Sequence, residues 1–532
     1  MLNRRNFLTT VAGATALTFT NITFESGVVE AAKHKTEQSE SDVRVSEAFS
    51  LRKQAALDEK NLPMPPFPVN GDETTVPGYI ANFSKTLPHN ALGEVDTNSY
   101  QELLTAIASN NPSDFEAIQL GGSAKLVNPQ GGFCFGMEGA DSHHLGVAAP
   151  PAFSSEEQAG EMVEDYWQAL TRDVPYSRFS SDHSIAAAIS DLSKFSKYAN
   201  VNASTLFRAG FPGVETGPYI SQFLHADIPY GAMTLKQQYN VQLPGSDHMT
   251  AYQDWLNQQN GLPPSTALTM DATPRYIRNG RDMADFLRSD YSFQSYLNAA
   301  LILQSYGGAA ISDSNPYKTF TKQTSFCTFG PPHALDLVAR AANQALVACW
   351  YQKWSVHRRL RPEEFAGRVQ NQLTGAANYP IHSKILNSQA VQQVFSQFGT
   401  YLLPQAYPVG CPAHPSYPAG HAAISGACAT MLKALFKESF VIPNTVVATD
   451  DGLSLVPYTD QALTVGGELN KLAVNVSIGR DTAGVHWRTD GEEGLRLGEQ
   501  VAISILRDYR NCFQETTTGF TLTTFDGQQI TI

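Results

Sequence analysis

The residues from Lys353 to Arg368, KWSVHRRLRPEEFAGR, place five Lys/Arg and one His in sixteen positions of a chain that is otherwise acidic. A lysine point charge (Lys353) and an arginine fork (Arg361) directed into one site suit a tetrahedral or trigonal oxyanion. Two further segments carry chemistry of the same kind. In His414-Pro-Ser-Tyr-Pro-Ala-Gly-His421 a proline- and glycine-ordered loop runs straight into a helical stretch. The amides around Gly420 and His421 then leave a helix N-terminus, which is an anion cradle. Gly420 gives room for close approach, and His421 is placed for proton transfer. In Gly479-Arg480-Asp-Thr-Ala-Gly-Val-His486-Trp-Arg-Thr-Asp490, Arg480 is a further cation and His486 offers a neutral imidazole nitrogen as a covalent or metal ligand. Asp490, one turn on, is able to accept the other ring N–H of His486 or to pair with a neighbouring arginine. Taken singly, each segment has a plainer reading: a basic helix end complementing the dipole, a capping loop, a surface ion pair.

Helices must position these groups. From His333 to Leu360 apolar residues recur at three- and four-residue intervals (Leu335, Val338, Ala342, Leu346, Cys349, Trp350) with no Gly or Pro, which predicts one long amphipathic helix. Pro362 disfavours helical geometry at Arg361 and ends that helix there. Lys353 and His357 then share a face, with Arg361 near the same edge one turn later. Upstream, helices are expected from about Asp96 (capped by Asn98 or Ser99), from Ser154 or Ser155 to Leu170, over Ser184 to Tyr198, and as one long helix from Arg281 to Tyr306. Residues 210 to 250 read as irregular. Downstream, Ser388 to Phe398, Ala422 to Phe436 and His486 to Arg510 are helical, and Gly491, Gly494 and Gly498 point to close helix packing in the last. The tail alternates apolar and polar residues around Asp526-Gly527, a hairpin signal. Helices without alternating strands make the expected class all-α.

In this order, Lys-x7-Arg-Pro, Pro-x-Gly-His and Arg-x5-His resemble the three-part signature of the vanadium-dependent haloperoxidases and their relatives, the phosphatidic acid phosphatase-like acid phosphatases. Gly217-Pro-Tyr-Ile-Ser-Gln-Phe-Leu224 is similar to a segment of the algal-type bromoperoxidases. The resemblance implies that Lys353, Arg361 and Arg480 bind the equatorial oxygens of vanadate with the Gly420 amide, that His486 bonds the vanadium, and that His421 serves as acid and base. It implies that Lys353 polarises bound peroxide and that Trp350 and His414 flank the halide pocket, the histidine favouring bromide or iodide over chloride; His357 and Asp490 would support the site from behind. The implied reaction uses hydrogen peroxide and halide to make hypohalous acid, which halogenates a small organic acceptor. The implied fold is two four-helix bundles with a small C-terminal β-hairpin, assembled as a homo-oligomer. One departure stands out: Ala419 occupies the place of a serine that would hydrogen-bond the oxyanion, a loss of about 1–3 kcal/mol. The phosphatases use the same cradle with the final histidine as nucleophile. The Lys353–Arg361 spacing, one residue longer than theirs, and the chain length favour the peroxidase.

A net charge of -13 and a pI near 5.5 argue against nucleic acid or an anionic membrane surface as partner. No run approaches eighteen apolar residues, so no membrane span is expected. The start, MLNRRNFLTTVAGATALTF, resembles a twin-arginine export signal (Arg4, Arg5, then Phe7 and Leu8) with cleavage near Ala31, which places the protein in the periplasm or outside the cell. The expected organisation is therefore a signal over 1–31, an extended proline-rich surface arm over 32–93, a helical region over 94–270, a vanadate-binding bundle over 271–510 and a hairpin tail over 511–532. Six cysteines (Cys134, Cys327, Cys349, Cys411, Cys428, Cys512) lack metal-type spacing; one to three disulfides are compatible with export, their pairing open.

Overall fold

The helical periods of the sequence become an all-α protein in the computed structural model, which describes residues 40–532. The expected export signal lies outside the described residues. The chain divides between Arg52 and Lys53. Helix α1, Glu40–Lys60, crosses that boundary and has no buried residue. The principal helices that follow are α2 Thr97–Ser109, α3 Glu156–Leu170, α4 His183–Leu192, α5 Tyr252–Gln259, α6 Gly280–Ser289, α7 Gln294–Ser305, α8 Pro331–Tyr351, α9 Pro362–Leu373, α10 Gln389–Phe398, α11 Gly420–Leu435, α12 Val465–Thr482 and α13 Arg488–Tyr509. The described strands form three short antiparallel hairpins: β1 Ile228–Tyr230 with β2 Met233–Leu235, β3 Val446–Ala448 with β4 Leu455–Pro457, and β5 Thr521–Thr523 with β6 Gln529–Thr531. The last is the hairpin expected around Asp526-Gly527. No described helix is long and apolar enough to cross a membrane.

One four-helix bundle is built by α8, α11, α12 and α13 around α11, in which every residue but His421 and Leu435 is buried. Glycines set its spacing. A Cβ at Gly498 would lie 2.0 Å from the Ala423 carbonyl oxygen, and one at Gly494 would lie 2.7 Å from the Ala422 Cβ, so α13 approaches α11 backbone to backbone. A second group packs α3 and α4 against α9 and α10, drawing helices from both 94–270 and 271–510. A shared core of buried residues runs from Val76 to Ile532.

The structure departs from the expected elements in places that matter for the site. The helix predicted over 333–360 stops at Tyr351 and continues as one π-helical turn, Gln352–His357, closed by the Arg358 amide donating to the Lys353 carbonyl (3.0 Å). Arg358 is left-handed (φ 45), and Pro362 opens α9 at its first position instead of closing α8. The helix predicted over 281–306 is broken at Asp290, which is extended (φ -67, ψ 155) with no Gly or Pro to announce it. The helix over 184–198 ends at Leu192, with a separate 3-10 turn at Ser196–Tyr198. The first cap is Asp96, whose carboxylate accepts from the Ser99 amide, and not Asn98 or Ser99. The proline-rich stretch over 62–70 has no buried residue, but the arm turns inward at its end: residues 80–87 are buried, Phe83, Lys85 and Leu87 among them, and the Lys85 ammonium donates to Glu363 at 2.7 Å. Burying that segment lets its apolar residues join a core with Tyr100, Leu103 and Trp354. Cys134, Cys327, Cys349, Cys411 and Cys428 are free thiols, so none of the disulfides compatible with export joins these five.

Candidate active site

The π turn carries Lys353 into the interior, fully buried, where its ammonium donates to the carbonyls of Pro415 (2.8 Å) and Ser416 (2.6 Å). Arg361, the residue before Pro362, is held by its own amide donating to Glu364 Oε2 (2.7 Å). Its guanidinium spreads over the next two segments: Nη1 donates to the Val485 carbonyl (2.7 Å) and lies 2.9 Å from His486 Nε2, while Nη2 lies 3.0 Å from His414 Nδ1. Arg480, in the last turn of α12, donates to the Leu287 carbonyl (3.1 Å) and the Tyr407 hydroxyl (3.3 Å), leaving its buried Nε without a partner. Carbonyls, histidines and one hydroxyl are thus the hydrogen-bond partners of the three cation heads; among the described residues no carboxylate bonds them. Burial, together with Arg361 and Arg480 nearby, brings the Lys353 ammonium down to about 7, the Cys349 thiol and Asp490 opposing the fall. Three buried cations without counter-ions fit a multiply charged oxyanion.

Opposite them stands His486. Its Nδ1 is 2.8 Å from Asp490 Oδ2, so Nδ1 carries the proton and Nε2 presents its lone pair to the cluster. Burial and the charges of Arg361, Lys353 and Arg480 hold the ring well below the ordinary histidine range, hence neutral. Asp490 is tied on every side, to the Trp487 amide (3.2 Å), to the Ser416 hydroxyl and to Arg359 Nη1 (2.8 Å), and Arg359 in turn reaches Glu161 (2.9 Å). The negative charge therefore sits one layer behind the cations.

Helix α11 starts at this point. Its first amide bonded to a backbone carbonyl is that of Ala423 (to Ala419, 3.0 Å), which leaves the Gly420, His421 and Ala422 amides as the open donors of a helix N-terminus. A Cβ at Gly420 would lie 3.1 Å from the Trp350 ring, so only glycine seats comfortably there. His421 Nε2 is 3.2 Å from Asp290 Oδ1, the carboxylate freed by the break between α6 and α7, and its side chain is 27% exposed. Trp350 and His414 pack at 4.7 Å between ring centroids, with the Lys353 ammonium 5.8 Å from the Trp350 ring. His414 is buried and held neutral by that burial and by Arg361 and Lys353. His357 lies apart from the cluster, edge-on to Tyr417 at 4.7 Å, with neither ring nitrogen bonded and burial holding its pKa near 3.

Three comparisons bear on this geometry. A family model for the VCPO second helical-bundle domain matches residues 333–515. The vanadium-dependent bromoperoxidase of Ascophyllum nodosum is 35% identical over 519 residues, covering 92% of each chain, and that of Corallina officinalis is 31% identical, covering 88% of this chain and 92% of its own. The chain belongs to the vanadium-dependent bromoperoxidase family. The homohexameric structure of the second vanadate-dependent bromoperoxidase from A. nodosum superimposes with a TM-score of 0.87 at 30% identity, over 98% of this chain and 95% of that one. In this bromoperoxidase-family chain the groups that sequence spacing did not reveal are Arg359, Asp290, Ser416 and Tyr407. Only Arg359 stood in a visible cationic run, and nothing in that run marked which arginine turns to Asp490. Ala419 caps α11 without a side-chain acceptor, and the nearby Ser416 hydroxyl is already committed to Asp490.

Proposed function

We propose that the chain is a vanadate-dependent haloperoxidase which oxidises bromide or iodide with hydrogen peroxide to hypohalous acid, the halogenating agent for a small organic acceptor. The observation that carries this reading is the set of three buried cations, unpaired with carboxylate, around the Nε2 of a histidine whose Nδ1 proton is fixed by Asp490. In this reading Lys353, Arg361, Arg480 and the Gly420 amide hold the oxyanion oxygens, and His486 Nε2 is the vanadium ligand. Vanadate, when bound, supplies a Lewis acid that activates peroxide without changing oxidation state.

The chain's own residues do the rest. His421, oriented by Asp290, takes a proton as peroxide enters and returns one as water leaves, so that peroxide, halide and one proton give hypohalous acid and water. The buried Lys353 ammonium would place a positive charge beside the oxygens of the reacting group. Trp350 and His414 line the approach of the halide, and the neutral His414 keeps a second fixed positive charge from trapping it. Arg4-Arg5 with Phe7-Leu8 supports export to the periplasm or beyond, and the homohexameric relative supports a homo-oligomer.

The test strips the purified protein of metal, titrates it with orthovanadate and follows two reactions: peroxide-dependent bromination of a dye and hydrolysis of a phosphate monoester. Bromination should appear with vanadate and vanish in His486→Ala. Vanadate-inhibited phosphate hydrolysis without bromination would replace the peroxidase reading by that of a phosphatase working through a phosphohistidine.

A further inference from the structure

Away from the oxyanion cluster, a cavity of about 350 Å³ opens between the Tyr176 and Tyr219 rings and hairpin β3–β4, within the size range of small-molecule pockets and sharing no lining residue with the cluster. Phe179, Ile220, Ile277 and His225 are its buried lining. Tyr176 and Tyr219 stack in parallel, centroids 3.9 Å apart and planes within 4°. The guanidinium of Arg208 lies 4.8 Å over the Tyr219 ring. Its Nη1 and Nη2 donate only to the carbonyls of Val214 (3.1 Å) and Gly217 (3.2 Å), and its buried Nε–H has no partner. Burial draws its pKa down against the opposing charges of Tyr219, Glu215 and Glu468, neither carboxylate being hydrogen-bonded to it. His225 adds a second orphan: its Nε2 is 2.9 Å from the Ile277 carbonyl, so the bare Nδ1 is an acceptor with nothing to accept from. An apolar, aromatic-walled space containing one arginine with an unpartnered Nε–H and one empty acceptor asks for a flat apolar body, an anionic head and a hydroxyl donor.

We propose that this cavity is a binding site for a small hydroxyaryl carboxylate, its carboxylate on Arg208, its ring beside the tyrosines and its hydroxyl turned to His225. The site is independent of the oxyanion cluster and of the reaction proposed there. Calorimetric titration of the full-length protein in the presence of orthovanadate, which keeps the cluster occupied, compares 4-hydroxybenzoate with the uncharged 4-hydroxybenzyl alcohol. The acid should bind at least tenfold more tightly than the alcohol, and both Arg208→Gln and Ala448→Phe, the latter filling the cavity, should weaken it tenfold or more. Because Arg208 also braces two carbonyls, Ala448→Phe decides the matter if Arg208→Gln fails to fold. Absence of heat with millimolar 4-hydroxybenzoate, equal binding of acid and alcohol, or unchanged binding in a folded Ala448→Phe protein overturns the proposal.

Discussion

At the scale of single residues the site is a balance of buried charge. Lys353 illustrates it: burial brings its ammonium down to about 7, against an ordinary 10.5. Between those values the unfolded chain holds a proton that the folded one has lost, so this lysine's contribution to stability rises with pH across that window. An oxyanion acts in the opposite sense, because it binds the protonated form. Orthovanadate affinity should therefore fall as pH rises above about 7, by up to about tenfold per unit, and Lys353→Met should remove that component of the slope; dissociation constants of both proteins measured from pH 6 to 9 check it, vanadate's own titration being common to the two. Ala419 works on the same site by omission. Ala419→Ser should tighten vanadate by about 1–3 kcal/mol, read as a lower dissociation constant at fixed pH, and an unchanged constant would mean that the new hydroxyl turns elsewhere, as that of Ser416 does toward Asp490.

Elements decide where those residues stand. The π turn at Gln352–His357 and the proline-opened start of α9 put Lys353 and Arg361 on one cluster although they belong to different helices. Breaking the expected helix at Asp290 delivers a carboxylate to His421. Asp290→Asn should accordingly leave vanadate affinity close to that of the parent and lower the bromination rate by about 10–100-fold, measured as kcat at saturating vanadate. The close contact of α11 and α13 is equally specific. Gly498→Ala would push a methyl into the Ala423 carbonyl, and the overpacking should cost about 1–3 kcal/mol, seen as a lower Tm; because α13 follows directly on His486, vanadate affinity should drop with it.

For the molecule as a whole, stability rests on the core and on buried ion pairs such as Arg359 with Glu161 and Arg488 with Glu164. Cys134, Cys327 and Cys512 are exposed, whereas Cys349, Cys411 and Cys428 are buried. A thiol reagent should thus modify Cys134 and Cys327 in the native protein and reach Cys349, Cys411 and Cys428 only in guanidinium. Failure of Cys349, Cys411 or Cys428 to react in guanidinium without reductant would reveal a disulfide that contradicts the fold.

Local pattern alone determined a good deal: the all-α class, the C-terminal hairpin, the glycine contacts of α13 and the helices over 156–170 and 389–398, while the grouping of Lys353, Arg361, Gly420, His421, Arg480 and His486 was implied by the resemblance of their three motifs to a family signature. Periodicity, capping and spacing are properties of short stretches, and those features are written in short stretches. Tertiary structure decided the rest. The arm over 76–87 went inside because its apolar side chains found a partner core that polar and proline-rich composition concealed. The helix break at Asp290 and the turn after Tyr351 follow no local signal, since their compensation lies across the fold, 131 residues away for Asp290 and His421. His357 shares Lys353's helical stretch yet meets Tyr417 instead of the cluster, because the π turn changed the register that α-helical spacing assumed. Which buried cations would lack carboxylate partners, and so remain open to an oxyanion, was settled by packing, because a charge's partner is fixed by position in space and not by position in the chain.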